Sequence, residues 1–458
     1  MERNNMRLVC CITLFFVIIA VSTAKTVFGT QEPTKVVCFY NAGAHTRDGQ
    51  AKFTLEDLQI AFPHCTHVIY GYAAISEKFK KLIPLNENFD VNQQHYKKVV
   101  DLKNRLNNRL PKPKIILSVG GGADISGEDD EKNIQYRDLL ESAALRTTFI
   151  NSAYETVKKY GFDGIDLAWE FPETKPKKIR SKIGSFFHSI KTKVIGPSVI
   201  DKKAEDHRQQ FIALVRELKR TMAMDNLLVS VTVLPNVNST VYYDPKALAP
   251  HLDFVNLMAY DFYTPARNPE EADYTSPLFE LVDRRFDENI DFQVNYWTRN
   301  GAPANKIVLG IPTFARAWQM TTDSNINGIP PLTVDGPAEQ GPFTRDAGLL
   351  SYAEVCQMIE GKKTPALTTP PTGSYLVEKD TSRRRGPYAY LLPGPNSKGA
   401  WISFENPDYA VAKATYVKSK GLGGVAINDL TLDDFKGSCS YERYPILQAV
   451  SNHLTKPY

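Results

Sequence analysis

Eight short apolar runs, rich in β-branched and aromatic residues, recur at 36–40, 67–73, 114–120, 164–169, 227–234, 254–260, 306–311 and 423–428. A run that is apolar at successive positions belongs to a strand covered on both faces, the mark of buried parallel strands. Helical patterns fill most of the gaps. The clearest is 206–222, where Phe211, Leu214, Val215 and Leu218 fall on one face. Eight such units predict an α/β fold of the (β/α)8 TIM-barrel type, with its chemistry at the C-terminal strand ends. An open doubly wound sheet is the rival, but no GxGxxG opens a helix in this chain.

The barrel is expected over 25–318 and 399–458. Residues 1–24 are read as a secretory signal peptide: Arg3 and Arg7 precede an apolar stretch, 8–21, broken only by Thr13 and followed by Ser22, Thr23 and Ala24. That stretch is short for a membrane span, and no other approaches membrane length. The expected product is therefore secreted, extracellular and without a transmembrane segment. A net charge of +4 gives no ground for a nucleic-acid partner. Two further stretches exceed a minimal barrel. Segment 173–209 holds ten Lys/Arg against four Asp/Glu, a local balance of +6. Segment 319–398, rich in Pro and Gly, is expected to form a small α+β insertion domain between the seventh strand and the last helix.

Of six cysteines, Cys10 and Cys11 leave with the leader. The remaining four allow three pairings, and proximity in sequence favours Cys38–Cys65 and Cys356–Cys439. No CxxC or HxxxH spacing supports a metal site, and no motif calls for a cofactor. Asn238-Ser239-Thr240 is the only N-glycosylation sequon.

The fourth run carries the chemistry. It reads Asp163-Gly-Ile-Asp166-Leu-Ala168-Trp-Glu170. Alternation puts Asp166, Ala168 and Glu170 on the inner face and Ile165, Leu167 and Trp169 toward the helices. Carboxylates on an inner face are costly unless paired or hydrogen-bonded. A structural polar cluster is one reading; an active-site origin is the other, favoured because Glu170 falls at the strand end.

This stretch resembles the DxxDxDxE signature of family 18 glycoside hydrolases, the chitinases. Leu117-Ser118-Val119-Gly120-Gly121 is similar to their SxGG strand, and Met258-Ala259-Tyr260-Asp261 to their MxYD strand. More narrowly, the stretch 234–240, the stretch 264–274 and the basic insertion resemble the insect imaginal disc growth factors and related chitinase-like proteins, including bacteria-responsive proteins. The family's hydrolysis is substrate-assisted, an exception to the two-carboxylate scheme. The resemblance implies Glu170 as proton donor, Tyr260 as partner of the substrate acetamido group, and Asp163, Asp166 and Asp261 as further site residues. It also implies an aspartate at position 168, where this chain has alanine.

Ala168 offers neither charge nor hydrogen bond to the cationic intermediate. The family's sugar-stacking tryptophans are also missing, with Gly43, Gly122 and Ala266 in three of their places and Asn428 at the floor of the cleavage subsite. The expectation is a secreted, non-catalytic chitinase-like protein acting as a growth-factor-like or immune-related extracellular signal through an extracellular or cell-surface protein partner. A chitooligosaccharide-binding lectin is the alternative, and a weakly active chitinase a further one. Lys175, Lys177, Lys178, Arg180 and Lys182, together with Arg383-Arg384-Arg385, are candidate contacts for a partner or an anionic glycan.

Overall fold

The computed structural model describes residues 34–106, 112–122, 134–174, 201–324, 330–331, 333–361, 375–395, 398–439 and 441–455. Eight parallel strands close on themselves: β1 (Lys35–Asn41), β2 (His67–Ile75), β4 (Lys114–Gly120), β5 (Gly164–Ala168), β6 (Leu228–Val233), β7 (Phe254–Leu257), β8 (Ile307–Pro312) and β14 (Gly424–Asn428). Each pairs with the next, and β1 bonds to both β14 and β2, which shuts the ring. A short β3 (Leu82–Pro84) adds antiparallel to the end of β2. The expected TIM barrel is therefore the fold.

The period-2 alternation of each strand divides the core. In β1, Val37 and Phe39 point inward to join Ile69, Ile116, Phe254, Met258, Tyr260, Val308 and Ala426. Val36, Cys38 and Tyr40 point outward into the larger cluster shared with the helices. The helix Ala204–Met222 presents Phe211, Leu214, Val215 and Leu218 to that outer layer, all fully buried. Each such side chain contributes about 1.5–3 kcal/mol by leaving water. The Cys38–Cys65 disulfide ties β1 to the residues entering β2.

The barrel floor uses one device twice. Asp163, just before β5, accepts the Ile115 N–H of β4 (2.8 Å) and the Lys103 ammonium (2.9 Å). Asp253, just before β7, accepts the Val229 N–H of β6 (2.7 Å) and the Lys219 ammonium (2.6 Å). In each case an aspartate leading into one strand fixes the preceding strand and the helix that led to it.

A second, antiparallel sheet is built from β9 (Phe314–Met320), β10 (Leu349–Ser351), β11 (Leu376–Glu378), β12 (Tyr388–Leu391) and β13 (Gly399–Ser403), in the order β10-β9-β13-β12-β11. One face carries Trp318, Met320, Tyr388 and Trp401 against Tyr263 and Tyr274; the other packs Ala315, Ala317, Ala389 and Ile402 against Leu350 and Val355. Val355 belongs to the helix Tyr352–Glu360, which a reciprocal Ser351–Glu354 capping box starts and the Cys356–Cys439 disulfide anchors. The sheet begins at Phe314 and ends at Ser403, wider at both ends than 319–398. Only Thr313 separates β8 from β9, so the apolar run of the barrel strand passes into the second sheet with no turn residue to mark the change.

Candidate functional site

The β4–β5 ladder ends where Gly120 pairs with Ala168. Glycine is required there: a Cβ on Gly120 would lie 2.2 Å from the Ala168 carbonyl oxygen, and one on Gly121 would lie 2.2 Å from the Tyr72 ring. This close approach brings the Gly122 N–H onto the Glu170 carboxylate, two residues beyond the end of β5. Glu170 is 4% exposed. A Cβ on Gly122 would meet nothing within 4 Å among the described residues.

Asp166 sits deeper, fully buried and held on several sides. Ser118 Oγ (2.7 Å), Ser230 Oγ (2.7 Å), Thr232 Oγ1 (2.8 Å) and Asn256 Nδ2 (3.4 Å) all donate to it. Burial pushes its pKa above the ordinary carboxylate range, and the four donors oppose that shift. Between Asp166 and Glu170 on the same face stands Ala168, fully buried and apolar.

Tyr260 lies in the inner core, its hydroxyl pKa raised by burial and then by the neighbouring charges of Asp261 and Asp429. Asp261 makes a two-point ion pair with Arg316 of β9 (2.9 and 2.7 Å). At the end of β14, the Asn428 side chain hydrogen-bonds Tyr72, whose pKa burial and the Asp429, Asp166 and Glu170 charges all raise. Asp166, Glu170, Tyr260, Asp261, Asn428 and Ala168 are thus drawn to the C-terminal end of the barrel. Asp163 is not. It belongs to the floor clamp, at the opposite end of β5, and the signature's first aspartate is here a structural residue.

Three site residues escape the sequence reading. Tyr72 lies within the apolar run of β2 and looks like core. Arg316 lies in the second sheet. Tyr243, fully buried with no hydrogen bond to its hydroxyl among the described residues, has its pKa raised by burial and then by Glu170 and Asp166. The tryptophans give the opposite surprise, because Trp169, Trp297, Trp318 and Trp401 are all fully buried. Trp169 packs edge-on against Tyr136 and Phe149 on the helix side of the barrel. None of the chain's four tryptophans is available to stack a sugar, while Gly43 and Ala266 are exposed.

The basic candidates divide. Lys175, Lys177, Lys178, Arg180 and Lys182 lie outside the described residues, as does the leader 1–24. In the second cluster, Arg384 donates to the Glu280 carbonyl (2.9 Å) and covers the Phe279 ring, and Arg385 covers Tyr274 and Tyr388. Arg383 and Arg384 are exposed and Arg385 is half-buried. Among the described residues, Cys356, Glu360 and Cys439 lie within metal-ligand spacing, but both sulfurs are spent on the disulfide. No helix of the described residues is long and apolar enough to cross a membrane.

Residues 35–433 match the family model for glycosyl hydrolases family 18. The chain belongs to glycosyl hydrolase family 18. Within the family it is similar to the chitinase-like protein Idgf4 of Glossina morsitans morsitans, at 45% identity over 94% of this chain and 97% of the relative. It is likewise similar to imaginal disk growth factor 6 of Drosophila melanogaster, at 43% identity over 94% and 96% of the two chains. Among solved structures it resembles human YKL-39, described as a pseudo-chitinase with retained chitooligosaccharide binding properties. That likeness has a TM-score of 0.71 at 26% identity and covers 92% of this chain and all of the other.

Proposed function

We propose that this family 18 protein is a secreted, non-catalytic chitinase-like effector that signals outside the cell through a protein partner. The observation that carries this reading is Ala168, an apolar residue between the buried carboxylates Asp166 and Glu170. Family hydrolysis needs a negative group at this position to orient the acetamido nucleophile and shelter the positive intermediate. Removing one preorganised electrostatic partner costs on the order of 10²–10³ in turnover. Here it also removes the positioning of the nucleophile. Asp166 does not substitute, because swinging toward the mouth would strand the four donors that hold it. Glu170 is left as a proton donor with no stabilised intermediate to serve.

The growth-factor and chitinase-like names of its relatives support an extracellular signalling role over a digestive one. The paired disulfides suit an oxidising compartment. Incubating the purified protein with a fluorogenic chitotrioside tests the catalytic half of the proposal, with no turnover above a Glu170→Gln control expected. Cross-linking to cell surfaces tests the signalling half, with a discrete protein partner expected. A second reading, a chitooligosaccharide lectin, is favoured by the retained binding of YKL-39. The burial of all four tryptophans weighs against it. Retention on chitin beads that free chitooligosaccharide elutes would establish that reading in place of the first.

A further inference from the structure

A cavity of about 210 Å³, partly open to solvent, adjoins the barrel mouth between the loops that follow β6 and β7. Along one side the Thr174 N–H bonds the Asn236 carbonyl (3.1 Å) and the Arg267 guanidinium bonds the Thr174 carbonyl, and on another Tyr260 of the mouth is among its lining residues. Among the residues lining the cavity is Asn238, the sequon asparagine. Its Oδ1 accepts from the Thr240 N–H (2.9 Å) and the Thr240 hydroxyl (2.8 Å). Its Nδ2, the atom that a glycan would occupy, makes no hydrogen bond among the described residues.

The wall around Asn238 has the chemistry of a sugar ring's surroundings. Phe286, 48% exposed, meets Phe292 edge-on at 5.3 Å and offers an apolar face. The Gln293 Nε2 is held by the Asp287 carbonyl (2.9 Å), which leaves its oxygen to accept. Glu288 pairs with Arg285 through one oxygen (3.2 Å), its other oxygen is shielded from solvent with no hydrogen-bond partner among the described residues, and burial pushes the carboxyl up to about 8. Apolar surface with a few fixed polar groups is the lining of a small-molecule site.

We propose that this cavity is a cradle for the protein's own N-linked glycan, attached at Asn238 and docked by its first N-acetylglucosamine residues against Phe286 and Gln293. The inference rests on the secreted reading, since attachment occurs only on chains entering the secretory route. In that step Asn238 Nδ2 forms a bond to the anomeric carbon of the first sugar. The bond broken joins that carbon to the pyrophosphate of a lipid-linked oligosaccharide donor. The pyrophosphate leaves with the bonding electron pair, and the Nδ2 proton passes to a base of the transferase. Attachment to the nascent chain precedes folding, so the half-buried position of Asn238 in the finished barrel is no obstacle. Once folded, the glycan joins the β6 and β7 loops across the cavity.

The test uses the full chain secreted from insect cells. Glycopeptide mass spectrometry is expected to place a glycan on Asn238. A peptide N-glycosidase is expected to release it slowly from native protein and rapidly from denatured protein. Phe286→Ala and Gln293→Ala should together raise the native release rate about tenfold, equivalent to about 1.4 kcal/mol of docking. Their denatured release rate and their circular dichroism should match wild type. Secreted protein without a glycan at Asn238 overturns the cradle and leaves the secreted reading intact. Retention inside the cell overturns both. Native release as fast as denatured release, or unmoved by the two substitutions, shows an undocked glycan and overturns the cradle alone.

Discussion

Replacing Asp166 by alanine tests whether the inner carboxylate is a structural hub or a spare counter-ion. The substitution leaves the Ser118, Ser230 and Thr232 hydroxyls and the Asn256 amide in a fully buried layer without their common acceptor. A buried donor left unpaired costs about 1–3 kcal/mol. The total falls below a simple sum because hydroxyls rotate toward one another, and Asn256 already donates to Thr232 (3.1 Å). We expect a net loss of about 3–5 kcal/mol, a large share of the 5–15 kcal/mol typical of a folded domain. Asp166→Asn keeps one acceptor oxygen and the shape of the side chain, so its loss should be about half as large. Urea titration followed by tryptophan fluorescence reads both, since Trp169 lies on the same strand segment and is fully buried. An alanine variant within about 1 kcal/mol of wild type would show that the donors are satisfied without Asp166, and that Asp166 is free to serve the mouth.

Three further outcomes follow from other buried charges. Lys413 is fully buried against Glu405 and donates to Ser276 Oγ (2.7 Å); Lys413→Ala should cost about 3–5 kcal/mol in a urea titration by stranding Glu405, with the Glu405→Gln, Lys413→Met pair recovering most of it. Burial, with His45 and Lys98 adding to it, lowers the His95 pKa to about 4, so the folded state favours the neutral ring. The stability this gives is complete above the unfolded value of about 6.5 and is lost as pH falls toward 4. The loss amounts to about 3 kcal/mol, and His95→Gln should flatten that part of the melting-temperature profile relative to wild type. Ala168→Asp should yield little chitotrioside turnover, because the subsite floor is still Asn428 tied to Tyr72 and the tryptophan platforms are still absent.

The barrel was legible because its strands are buried on both faces and so stay apolar residue after residue. The mouth was legible because Asp166, Ala168 and Glu170 share one strand, whose period of two fixes their common face. What the sequence hid depends on contacts between distant segments. Asp163 reads as part of a catalytic signature until the register of β4 and the helix carrying Lys103 shows it clamping the floor. The Tyr72–Asn428 tie joins the second strand to the last, and Asp261 finds Arg316 across two sheets. Arg384 and Arg385 also lie over aromatic rings, a placement hidden in the sequence because cation–ring packing leaves no local mark. Counting tryptophans gave their scarcity; only the packing shows that none reaches the surface.

The most direct test of the account is the turnover of a fluorogenic chitotrioside by the purified wild-type protein, compared with its Glu170→Gln variant under identical conditions. An apolar residue at position 168 predicts no difference between the two. Robust release of fluorophore by the wild type, abolished by Glu170→Gln, would mean that the sugar cation finds its negative partner elsewhere in the barrel, and the non-catalytic reading would fall.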